Sequence, residues 1–84
     1  MIIQYSANFN GREWAYHGNF ETKVEIPYLQ QNVNALMSDA IVRLKQKCRK
    51  YNVDFQTIER FEMYYFENGE EIKLYEKIKQ NEIL

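Results

Sequence analysis

Three groups of residues have the types and spacing for recognition or chemistry. The first is the stretch 10–19, Asn-Gly-Arg-Glu-Trp-Ala-Tyr-His-Gly-Asn. It holds the chain's one Trp, its one His and two of its three Gly. Arg12, Trp14 and Tyr16 are the residue types that dominate binding hot spots. His17 beside Glu13 has the groups for acid–base work. No nucleophile, metal-ligand cluster or phosphate loop accompanies them, and Asn10-Gly11-Arg12 matches neither a Walker loop nor a dinucleotide fingerprint.

The second group is basic: Arg43, Lys45, Lys47, Arg49 and Lys50. At helical spacing Arg43, Lys47 and Lys50 share one ridge, at i, i+4 and i+7. Such a ridge can neutralise successive phosphates, with affinity from counterion release. The same cations also suit the C-terminal end of a helix dipole, and Asp39 with Arg43 has i, i+4 pair spacing.

The third group lies in the C-terminal hairpin. Tyr64, Phe66 and Tyr75 fall on the face assigned to solvent, among Glu62, Glu71 and Lys73. Three readings stay open there. The aromatics form a protein or homodimer interface, they stack unpaired bases, or the tail residues Ile78, Ile83 and Leu84 cover them. Glu62, Glu67, Glu70 and Glu71 form an acidic rim suited to a basic groove. Cys48 lies on an apolar stripe and reads as a buried small side chain rather than a reactive thiol.

The elements that must position these residues follow from periodicity. Residues 2–9 alternate, with Ile3, Tyr5, Ala7 and Phe9 on one face, as a half-buried strand does. Asn10-Gly11 is a hairpin signal. A two-residue turn there pairs Ala7 with Trp14 and Tyr5 with Tyr16. Residues 20–26 alternate again and stop at Pro27. Residues 10–19 are either an extra hairpin strand or a loop.

Residues 29–51 carry an apolar stripe at helical spacing: Leu29, Val33, Leu36, Met37, Ala40, Ile41, Leu44, Cys48 and Tyr51. Asn32 or Asn34 suits the N-cap, Asn52 suits an αL end, and Val42 points off the stripe. Strands over 58–66 and 70–76 flank Asn68-Gly69. A two-residue turn pairs Tyr65 with Ile72 and Met63 with Leu74 on the core face. On the other face it pairs Tyr64 with Lys73 and Glu62 with Tyr75. The expected fold is a small single α+β domain over residues 1–84, in ββαββ order. One amphipathic helix packs on one face of a mostly antiparallel sheet, β-grasp-like or in another strand order, with a tail over 77–84.

Eighty-four residues make one small domain. With 45% apolar and 15% aromatic residues and a net charge of −1, disorder is not expected. Thirteen aromatics are more than a small core easily hides, so some should be exposed. The net charge conceals a +5 block over residues 42–51 between acidic flanks of −2 and −4. No apolar run reaches transmembrane length, and the N-terminus lacks a signal-peptide pattern, so no membrane association and a cytoplasmic location are expected. A single Cys excludes an internal disulfide and a CxxC site.

Eight Asn, eight Ile and seven Lys against four Ala suggest an AT-rich coding sequence of the kind low-GC bacteria and their phages use. The expected protein is not an enzyme and needs no cofactor or metal. It is a protein-binding module, a small phage or mobile-element inhibitor or adaptor of anti-defence (for example anti-CRISPR) type. It would occlude a surface of a larger host protein or nucleoprotein complex and could form a homodimer. The alternative is an RNA- or single-strand-binding domain using Arg43, Lys47 and Lys50.

Overall fold

The computed structural model describes residues 1–78. Strands β1 (Ile2–Phe9), β2 (Tyr16–Glu21), β3 (Ile58–Glu67) and β4 (Glu70–Ile78) form one sheet, and helix α1 (Val33–Lys50) lies between β2 and β3 in the chain. The sheet order is β2-β1-β3-β4. Every neighbouring pair is antiparallel. This is the ββαββ order with the helix on one sheet face, and the strand order left open by the sequence is now assigned.

The core face follows the alternation. Ile3, Tyr5, Ala7 and Phe9 of β1, Phe20 of β2, and Phe61, Met63 and Tyr65 of β3 are buried. They meet Leu36, Ala40, Leu44 and Cys48 on the buried stripe of α1. Burying each large apolar side chain contributes about 1.5–3 kcal/mol. Val42 is exposed, as its position off the stripe requires.

The helix is shorter than 29–51. Two 3-10 turns, Ile26–Tyr28 and Gln30–Asn32, precede it, with Pro27 inside the first. Asn32 holds the N-cap position, but its side chain donates to the Tyr28 carbonyl at 2.8 Å and caps no helix N–H. At the other end Asn52 has φ 56°. Its N–H donates to the Arg49 carbonyl and that of Val53 to the Cys48 carbonyl, at 3.3 and 2.8 Å. This is a Schellman ending with Asn in the αL position, and the buried Val53 and Cys48 supply its apolar contact. Tyr51 leaves the stripe and is exposed.

The second strand is displaced from the expected 20–26. It runs over Tyr16–Glu21, so residues 10–15 are loop and 16–19 are strand. Its last ladder bond joins the Thr22 N–H to the Met1 carbonyl at 2.9 Å. Beyond it the Thr22 hydroxyl accepts the Val24 N–H, which bends the backbone away from the sheet. Val24 and Ile26 still pack on the core. The alternation over 20–26 therefore marks inward residues throughout, but sheet pairing only as far as Thr22.

Asn10-Gly11 does not close a two-residue hairpin. Only Gly11 has positive φ, at 81°, whereas a type I′ turn needs it at both central residues. The Asn10 N–H is taken by the Thr57 carbonyl at 2.9 Å. Ala7 pairs with Tyr16 and Tyr5 with Gly18, two residues from the expected register.

Asn68-Gly69 behaves as expected, with φ of 53° and 81°. Tyr65 pairs with Ile72 and Tyr64 with Lys73. A bulge then shifts the register, so Met63 faces Tyr75 and Glu62 faces Glu76. The expected pairs Met63–Leu74 and Glu62–Tyr75 do not form. A bulge sets two residues against one, and here it turns both Leu74 and Tyr75 toward the core.

Candidate binding surface

The loop 10–15, the start of β2 and the last turn of α1 meet at one corner of the molecule. The Schellman ending leaves the Asn52 carbonyl within reach of Arg12, whose guanidinium donates to it at 3.5 Å. Lys47 Nζ donates to the His17 carbonyl. The Tyr16 ring is half-buried, 5.5 Å from Phe9 and 5.9 Å, edge-on, from Tyr51. Lys50 Nζ lies 5.5 Å from the centre of the Tyr51 ring. Trp14 stands on this anchored loop with 71% of its surface in water. A shallow cleft runs between Trp14, Tyr16, Lys47 and Tyr51.

Sequence reasoning treated the Trp14 loop and the basic ridge as separate candidates. The fold joins them. Arg12, Trp14 and Tyr16 share the corner with Lys47 and Lys50, which belong to the ridge. Tyr51, which the helical spacing places on the apolar stripe, instead completes this surface. The Asn52 αL signal could have found it, because a helix that ends there frees the residue before it.

The ridge cations are engaged by the chain itself. The Arg43 guanidinium sits 5.2 Å over the Phe20 ring. Lys45, off the ridge, lies 5.0 Å over Phe55. Such contacts are worth about 0.5–1 kcal/mol at exposed sites. Arg43 also acts on Tyr5: burial pushes that phenol up, and the nearby guanidinium partly opposes the shift.

The hairpin site does not assemble as expected. Tyr64 and Phe66 do share the outer face, as an edge-to-face pair at 5.8 Å, and Phe66 is 53% exposed. Tyr75 is absent from it. The bulge places Tyr75 on the helix side, 6.2 Å from Phe61, where it lines an apolar groove with Met37 and Ile41. Glu62 is not a free acidic rim. Its carboxylate binds Arg60 at 2.6 Å and lies 3.4 Å from Lys73, and its side chain is 12% exposed. Glu76 closes the network, 3.0 Å from Arg60 and 2.9 Å from Lys73. Glu71 is exposed and faces Phe66 across the strands. Burial first, then the Glu71 and Glu62 carboxylates, push the Tyr64 phenol up. Ile78 is exposed, and Ile83 and Leu84 lie outside the described residues.

Among the described residues no three His, Cys, Asp or Glu side chains gather as a metal site, and no helix is long and apolar enough to cross a membrane. Cys48 is buried, and burial foremost pushes its thiol up. No family model, curated protein or solved structure matches the chain.

Proposed function

We propose that this protein is a non-enzymatic binding module that docks the Trp14 corner onto an acidic, partly apolar surface of a larger protein. It acts as an inhibitor or adaptor by occupying that surface. The observation that carries this reading is the exposed Trp14 on a loop fixed at both sides, by Arg12 to the helix end and by Lys47 to β2. An anchored aromatic loses little freedom on binding, and burying a ring of this size contributes about 1.5–3 kcal/mol. Arg12, Lys47 and Lys50 around it favour acidic partners and speed encounter.

The test is capture from lysate with wild type and with Trp14→Ala, with and without nuclease. The expected result is one stoichiometric protein that survives nuclease and is lost with Trp14→Ala. Retention of that partner by the folded variant rejects the surface.

A second reading rests on the continuity of the ridge with the corner. Cations leading to exposed aromatics also describe a single-strand-binding groove. The net charge of −1 favours the protein partner, because a nucleic-acid module is usually basic overall. Titration of a labelled single-stranded oligonucleotide separates the two readings. Affinity that falls steeply with salt and is lost in Arg43→Glu favours nucleic acid.

A further inference from the structure

We propose that β2 is the seam of a homodimer, pairing antiparallel with β2 of a second copy about a two-fold axis at Asn19. Among the described residues the sheet has two edges, β2 and β4. Edge strands attract other strands unless charges, proline or bulges block them. β4 is blocked by Glu70, Glu71, Lys73, Glu76 and Lys77 and by its bulge. β2 reads Tyr-His-Gly-Asn-Phe-Glu, with one formal charge, no proline and no bulge.

The free backbone groups of β2 can be assigned. Opposed residues in an antiparallel ladder alternate between bonded and unbonded pairs. Thr22 bonds to Met1, so Tyr16, Gly18 and Phe20 also bond inward to β1. The N–H and C=O groups of His17, Asn19 and Glu21 therefore point away from the sheet. The Lys47 contact on the His17 carbonyl agrees with that direction.

The edge is self-complementary in charge. Lys47 sits at its His17 end, and Glu21 is at the other. Antiparallel pairing about Asn19 sets Glu21 of each copy opposite His17 of the other, with both side chains on the face away from the helix and Lys47 at the His17 carbonyl of the edge. A carbonyl has two lone pairs, so that of His17 can hold Lys47 and still accept an N–H from the second copy. The pairing also keeps Tyr16, Gly18 and Phe20 of both copies on the helix side of a continuous sheet.

The first test is mass by sedimentation across a range of protein concentrations, on wild type and Asn19→Pro. Proline at 19 removes an N–H that makes no ladder bond to β1 and has no partner among the described residues, so the fold is expected to survive. The expected result is about twice the 10.2 kDa chain mass for wild type at high concentration and the single mass for Asn19→Pro, with matching circular dichroism. A wild type that stays at single mass, or a folded Asn19→Pro that stays double, overturns the proposal.

If Asn19→Pro misfolds, cysteine trapping decides. Facing Cα atoms at a bonded pair lie about 5.5 Å apart, within disulfide range. Asn19→Cys should cross-link under mild oxidation. Glu21→Cys should not, because its copies sit roughly 14 Å apart along the strands. Equal trapping at both positions, or none at Asn19→Cys, also overturns it. The seam does not use Trp14, so Trp14→Ala is expected to keep the doubled mass, which separates this test from that of the binding corner.

Discussion

Gly18 lies against the ring of Tyr5, its partner across β1 and β2. A Cβ at position 18 would overlap the Tyr5 ring. Tyr5 is 3% exposed and its ring packs 6.5 Å from that of Phe20, so it has little room to move. Gly18→Ala is therefore expected to cost about 2–3 kcal/mol by forcing a buried side chain off its site. Urea unfolding measures the loss. A variant as stable as wild type would show that the strand yields at this position.

Trp14 is expected to behave in the opposite way. It is 71% exposed and takes no part in the core. Trp14→Ala should change stability by no more than about 0.5 kcal/mol, the usual range for surface positions. As the one Trp of the chain it also reports its own environment. Its fluorescence should be quenched by acrylamide nearly as well in the native state as in urea. A strongly shielded native signal would mean that another surface covers Trp14 and that it is not free to meet a partner.

Periodicity carried most of the fold. The Ile3–Phe9 alternation, the stripe from Leu36 to Cys48 and the Asn68-Gly69 turn are local patterns, each with one dominant physical cause. The failures share another cause. Asn10-Gly11 resembles a hairpin turn, but the Asn10 N–H is claimed by Thr57, forty-seven residues away in the chain. The bulge opposite Met63 leaves no local mark, yet it moves Tyr75 from one sheet face to the other. The candidate corner was legible in residue type at Arg12, Trp14 and Tyr16. Its union with Lys47, Lys50 and Tyr51 depends on where the helix stops relative to the loop, which is a tertiary relationship.

Cys48 gives a prediction about reactivity. It is 2% exposed on the helix stripe, and its thiol is pushed up chiefly by burial. The thiolate is the reactive form, so both access and ionisation disfavour attack. Ellman's reagent should modify the native protein on the order of a hundredfold more slowly than the urea-unfolded chain. Equal rates would mean that the helix opens readily from the sheet.

The ion network on the outer sheet face predicts a pH profile. Hydrogen bonding to Lys73 foremost, with Arg60 contributing, holds the Glu76 carboxyl below its ordinary range. Its hydrogen bond to Glu76 foremost holds the Lys73 ammonium above its own. A carboxyl lowered on folding stabilises the fold above its unfolded value, and that contribution is lost as pH falls through the folded value. A raised ammonium contributes below its unfolded value, and its share is lost as pH climbs through the folded one. The network should therefore be intact from mildly acidic to mildly alkaline pH. Both groups are exposed, so each contributes little, and the comparison needs a matched variant. In Glu76→Gln the acid-side fall in melting temperature should be shallower than in wild type, and added salt should narrow the difference. Parallel acid limbs for the two proteins would show that Glu76 gains nothing from Lys73 and Arg60 in solution.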